Sequence, residues 1–214
     1  MMKYGMILAF LMLLSCGKDK EILLPKSNTT LVKDIEDISP IYILFQKKGN
    51  DTIAEVDKQT IISTTNWVFN VDKRLPLKQV LPEVIKLQNR KGQQSGKDKK
   101  ENYYSYADSI GKNMAFIPFT QVVYSLEKQK EFEDQQAATL IVRFDKHNKL
   151  TCNGSDLKLS TFKESLQHFY SDKPIVIYLH FDKELPYEFY ITDKIFLAGL
   201  KLNNVTFSAK EYVY

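Results

Sequence analysis

Ile175-Val176-Ile177-Tyr178-Leu179-His180-Phe181, followed by Asp182-Lys183-Glu184-Leu185-Pro186-Tyr187, is the stretch on which the fold turns. Its first seven residues are β-branched, aromatic or otherwise large, the side chains that pack best on a pleated surface, so they predict a central strand. Alternation puts Ile175, Ile177, Leu179 and Phe181 on one face, and Val176, Tyr178, His180 and Asp182 on the other. Leu185-Pro186-Tyr187 then introduces a helix from about Tyr187 to Leu200, with Tyr190, Ile191, Lys194, Ile195 and Ala198 along one side. A last strand is expected over Asn203–Ala209.

Upstream, Thr139–Asp145 alternates between apolar and polar residues and reads as a half-buried strand. Leu150-Thr151-Cys152 returns from it, and Asn153-Gly154 marks a tight turn. A helix is expected to open near Leu159, with Glu164 placed to close a capping box on Thr161, and to bury Phe162, Leu166 and Phe169. The order is strand, short strand, helix, strand, helix, strand. The fold class is therefore α/β (α+β), a two-layer sandwich with helices on one face of a mixed sheet.

The first half repeats this outline less regularly. Strands are expected at Pro40–Phe45, Asp51–Ile62 and Trp67–Val71, then a helix over Leu77–Leu87. Aligning that helix with the one at Phe162 suggests a tandem repeat offset by 82 positions (Leu75 to Leu157). Residues 88–102 carry Arg90, Lys91, Lys97, Lys99 and Lys100 and read as a mobile basic loop. Short strands follow at Tyr103–Ala107 and Met114–Phe119, and Gln121–Asp134 reads as a helix. The modules divide as 39–134 and 135–214.

At the amino terminus, Lys3 precedes an apolar run, Tyr4–Leu14, and Ser15-Cys16 follows. This is the layout of a secretory signal over residues 1–15, and the run is shorter than the roughly 20 residues a bilayer-spanning helix needs. Leu13-Leu14-Ser15-Cys16 resembles the bacterial lipobox. The resemblance implies cleavage before Cys16, acylation of that cysteine, and a lipid anchor in a membrane. Residues 16–38 then read as the lipidated cysteine and a tether, and their early charges resemble the export signals of some Bacteroidetes lipoproteins. The expected location is the cell envelope, on the periplasmic side or at the outer surface of the outer membrane.

Thr139–Tyr214 resembles the periplasmic domain of the ExbD/TolR family. The resemblance is carried by Asp156-Leu157 before a helix, the strand Ile175-Val176-Ile177-Tyr178, Pro186-Tyr187, Leu197-Ala198-Gly199-Leu200 and Val205-Thr206-Phe207. It implies a folded interaction module that pairs through sheet edges, as a homodimer or with an envelope protein or peptidoglycan. That family works through an intramembrane carboxylate. The apolar run here contains none, so proton coupling does not follow.

The chain has 214 residues, two cysteines, three histidines and a formal charge of +4. With Cys16 acylated, Cys152 remains the only thiol, so an intramolecular disulfide is excluded. No histidine pair has metal-ligand spacing, and no nucleotide or nucleophile-elbow motif is present. No cofactor, metal or catalytic residue is assigned. The candidate ligand or interface residues are Tyr103, Tyr104 and Tyr106 beside the basic loop, which could stack on sugars, and the polar group Tyr178, His180 and Asp182. An exported chain with so small a net charge gives no case for a nucleic-acid partner. The reading is a non-enzymatic envelope lipoprotein acting as a scaffold or interaction module. The alternative is a lipoprotein that binds glycan, peptidoglycan or a small ligand.

Overall fold

The structure is a computed structural model that describes residues 21–49, 51–57, 61–94, 100–129, 137–167, 173–200 and 202–214. The signal sequence, Cys16 and His168 lie outside the described residues. The fold is α+β: two mixed six-stranded sheets, each flanked by helices, as two tandem modules. Among the described residues, no helix is long and apolar enough to cross a membrane.

The first sheet contains β1 (Lys26–Ser27), β2 (Ile38–Lys48), β3 (Asp51–Asp57), β4 (Asn66–Val71), β5 (Asn102–Asp108) and β6 (Asn113–Pro118). Its order is β1-β5-β4-β2-β3, with β6 also on β5. Helix α1 (Leu77–Gln94) buries Leu77, Val80, Leu81, Val84 and Leu87, the periodic stripe the sequence predicts. The second sheet is ordered β10-β9-β8-β11-β12-β7. It consists of β7 (Val123–Ser125), β8 (Ala138–Phe144), β9 (Leu150–Cys152), β10 (Ser155–Leu157), β11 (Ile175–Phe181) and β12 (Val205–Val213). Helix α2 (Phe162–Gln167) is short, and α3 (Tyr187–Ala198) is the long helix of this module. As expected, β11 is central, parallel to both β8 and β12. Asn153 and Gly154 both take positive φ, which is what a two-residue hairpin turn requires.

Both modules follow one path. A hairpin (β2–β3, β8–β9) is followed by a strand parallel to its first arm (β4, β11), a helix, and another parallel strand (β5, β12). The correct offset is 110, not 82. Asp72-Lys73-Arg74-Leu75-Pro76 and Asp182-Lys183-Glu184-Leu185-Pro186 both link the central strand to the long helix. The helix at Phe162, matched to α1 by its apolar stripe, is an insertion before β11.

Four other expectations are corrected. Gln121–Asp134 does not open as a helix: Val123–Ser125 is a strand, parallel to β12 in the second sheet, and residues 130–136 lie outside the described set. The basic loop begins later than residue 88, because α1 continues to Gln94. Lys91 is buried at 4% exposure. It lies over the Trp67 ring and donates to the Glu101 carbonyl and Asn102 Oδ1, and burial lowers its pKa to about 8. The capping box on Thr161 does not form; the Thr161 hydroxyl bonds the Lys158 carbonyl. The segment read as a tether is, from Leu23 to Val32, part of the fold. Lys73 N–H donates to the Leu23 carbonyl, Ala107 N–H to Pro25 and Ser109 N–H to Ser27, and Val32 exchanges backbone bonds with Phe116. Tyr106 holds it from below, its hydroxyl donating to the Thr29 carbonyl and accepting from Leu31 N–H.

Candidate functional site

The repeated Asp-Lys-x-Leu-Pro turns meet each other. Leu77 N–H donates to the Leu185 carbonyl at 3.0 Å, and the equivalent Tyr187 N–H to Leu75 at 2.8 Å. Lys78 N–H reaches the Lys183 carbonyl at 2.8 Å, and the equivalent Glu188 N–H the Lys73 carbonyl at 3.1 Å. These four bonds are two reciprocal pairs, the signature of a local two-fold relation between the modules. They also satisfy amide groups in the first turns of α1 and α3, which no helical carbonyl can reach. Ion pairs Lys73–Glu188 and Lys78–Glu184 flank the contact, but they are partly exposed and carry little energy.

Beside this junction the modules share an aromatic core. Tyr104 stacks on Phe119 at 3.7 Å and meets Tyr187 and Tyr190 edge-on. Tyr190 in turn meets Phe181 edge-on. A line of hydroxyls runs through it: Tyr104 to Tyr124 at 2.9 Å, Tyr124 to Tyr190 at 3.1 Å, and Tyr190 to Glu211 Oε2 at 2.8 Å. Lys194 pairs with Glu211 Oε1. An ionised carboxylate only accepts, so Tyr190 donates to Glu211, Tyr124 to Tyr190 and Tyr104 to Tyr124. Burial raises the pKa of all three tyrosines well above the usual value, so each keeps its proton. Glu211 lies on this inner face, and a bulge sets its level along β12. Ile177 pairs with Phe207, but Leu179, two residues on, pairs with Glu211.

Between the modules lies a crevice of about 370 Å³. Its walls are Leu31 and Val32 of the amino-terminal segment, Ile117 of β6, Leu179 and Phe207 of the second sheet, and Leu197 of α3, with Lys194 at the side. Sequence reasoning missed this site because its walls are mostly ordinary apolar residues from five separate stretches of chain.

The residues singled out from sequence separate. Tyr104 and Tyr106 are not a surface stacking platform; they are 2% and 0% exposed, one in the junction core and the other under the amino-terminal segment. Tyr103 is partly exposed and packs edge-on against Phe116. On the outer face of the second sheet, His180 pairs in register with Arg143 and Tyr212. It is 3% exposed rather than solvated. Its Nε2 donates to Gln129 Oε1, and its Nδ1 accepts from the Tyr214 hydroxyl at 2.9 Å. Burial, with Arg143 adding repulsion, lowers its pKa to about 4, so the ring is neutral near pH 7 and fully used as a structural link. Tyr178 lies 6.5 Å from the Tyr212 ring. Asp182 does not join this group; its carboxylate accepts Glu184 N–H and closes the turn. Arg143 and Lys128 lie over the Tyr214 ring, and Lys210 over Tyr212, so the rim of this face is cationic and aromatic.

Cys152 is partly buried, and burial raises its thiol pKa, the opposite of an activated nucleophile. Among the described residues, no group of three or more His, Cys, Asp or Glu side chains is placed to hold a metal ion. Comparison with protein-family models, curated proteins and solved structures finds no match to the chain.

Proposed function

We propose that this chain is a lipid-anchored protein of a bacterial cell envelope that acts as a two-module interaction scaffold and catalyses no reaction. The observation that carries the scaffold reading is the reciprocal junction. Two similar modules in one chain are joined by paired backbone bonds and a common aromatic core, so their outer sheet faces keep a fixed separation and orientation. Domains joined only by a linker and a small polar contact would move independently. Cys16 supplies the anchor in this reading, and the ExbD/TolR-like module supplies the precedent for pairing with envelope components.

Metabolic labelling with a palmitate analogue tests the anchor. The full chain is expected to be labelled and to sediment with membranes, and Cys16→Ser to abolish the label. A labelled Cys16→Ser chain, or an unlabelled native one, overturns the anchor. For the scaffold, a photo-crosslinking residue placed at Tyr178 is expected to give one discrete adduct in cells. Absence of any adduct there and at Ile53, an exposed residue of the first module, overturns it.

A second reading, peptidoglycan binding, is favoured by the cationic, aromatic rim of the second sheet. The partly exposed Tyr178 and Tyr214 rings can stack on sugars while Arg143 and Lys210 meet muropeptide carboxylates. Sedimentation with purified sacculi is then expected to fall at least threefold in an Arg143→Ala, Lys210→Ala double variant. Equal sedimentation sinks this reading.

A further inference from the structure

We infer that the crevice between the modules is a binding site for an uncharged acyl ester, a glyceride lipid with one free chain. This goes beyond the scaffold reading and does not depend on it. The crevice volume of about 370 Å³ lies within the range of small-molecule sites. Leu31, Val32, Ile117, Leu179, Leu197 and Phe207 give it aliphatic and aromatic walls, which suit a hydrocarbon chain.

The head group follows from charge. Among the described lining side chains Lys194 is the only ionisable one, and Glu211 already neutralises it. A fatty carboxylate would enter a site with no net positive charge and would meet Glu211 beside its only partner, losing its hydration for little return. A lysine ammonium has three N–H donors, and Glu211 takes one. Those that remain suit a neutral acceptor, an ester carbonyl, which carries no charge to desolvate. Glu211 is itself fixed by the Tyr190 hydroxyl, so the ammonium is held in place before a ligand arrives. The amino-terminal segment forms one wall, and its bonds to Tyr106 and Phe116 keep that wall in position.

The test uses the full chain carrying Cys16→Ser, so that no acyl group of its own competes, and titrates it calorimetrically with 1-monolauroylglycerol and with laurate below their micelle concentrations. Saturable one-to-one binding of the glyceride is expected, at least tenfold tighter than that of laurate. Ala198 is an exposed residue at the crevice mouth, and Ala198→Trp fills the opening without disturbing the core. That variant is expected to keep its melting temperature and lose at least tenfold in glyceride affinity. No saturable binding, or binding indifferent to Ala198→Trp, overturns the site. Laurate binding as tightly as the glyceride overturns the neutral-head assignment.

Discussion

Glu211→Ala is expected to cost about 3–5 kcal/mol of unfolding free energy, towards the lower end because Lys194 keeps some solvent access. Glu211 is 1% exposed and holds two donors, the Tyr190 hydroxyl and the Lys194 ammonium. Truncation leaves an ammonium without its counter-charge and ends the hydroxyl line without an acceptor. Tyr190 is fully buried and cannot turn to bulk water, and the Lys194 side chain has only limited access to it. The control is the pair replaced together. Glu211→Leu with Lys194→Met removes both charges and fills similar volume, so the loss is expected to shrink to about 1–2 kcal/mol, the remainder coming from the Tyr190 hydroxyl, which keeps its bond from Tyr124 but loses its acceptor. Urea unfolding of the three proteins measures this, with the midpoint shifting and the slope unchanged. A single-variant cost below about 1 kcal/mol, or a double variant no more stable than the single, would show that the pair does not hold the junction.

The residues behind this prediction show which parts of the fold could be read from the chain. The strand Ile175–Phe181 and the stripe Leu77–Val80–Leu81–Val84–Leu87 were legible because local periodicity reflects burial on one side. The sequence locates helix α3, but the one-sided stripe it suggests is too simple, and Ala198 of that stripe is exposed. The helix buries Tyr187, Tyr190, Ile191, Asp193, Ile195 and Leu197, because the first module and the second sheet enclose it. The apolar stripes place the repeat at the wrong offset, since such stripes match between any two amphipathic helices. The decisive signal was the shared Asp-Lys-x-Leu-Pro, where a strand's end and a proline-led helix start require the same backbone.

What was not legible depends on distance along the chain. Glu211 lies beyond the expected end of the last strand at Ala209, and the bulge, seen only in the pairing with β11, sets it opposite Leu179. Val123–Ser125 is a strand because Lys210–Tyr212 offers it an edge, and Leu23–Val32 is ordered by β5 and β6. Neither partner is near in sequence, so polar composition gave the wrong reading. Tyr103, Tyr104 and Tyr106 stand out in the sequence. Their alternation, with Tyr104 and Tyr106 turned to one face, already carried the sign that those two rings are core.

The second large effect concerns Asp193, and it depends on pH. Asp193 is 2% exposed on α3, and its only partner among the described residues is the Asn148 side-chain amide, at a long 3.4 Å. Asp193 Oδ2 and Asn148 Oδ1 are both buried acceptors without a donor. A proton on Asp193 turns one of these acceptors into a donor, so the fold favours the neutral acid. Burial pushes the pKa up to about 7, with the Asn148 bond opposing it weakly. The native state therefore holds this proton to higher pH than the unfolded chain does. The contribution is fully present below the unfolded value near 3.8 and is lost as pH rises through about 7. A shift of this size corresponds to roughly 4 kcal/mol between the two limits. Asp193→Asn keeps the shape, carries no charge at any pH and supplies the missing donor. It is expected to match the native chain within about 1 kcal/mol at pH 5 and to exceed its stability by about 2–4 kcal/mol at pH 8.5. Urea titrations of both proteins at the two pH values decide it. If Asp193→Asn loses stability between pH 5 and pH 8.5 as steeply as the native chain, Asp193 is ionised in the fold and the turn carrying Asn148 must be stabilising the charge.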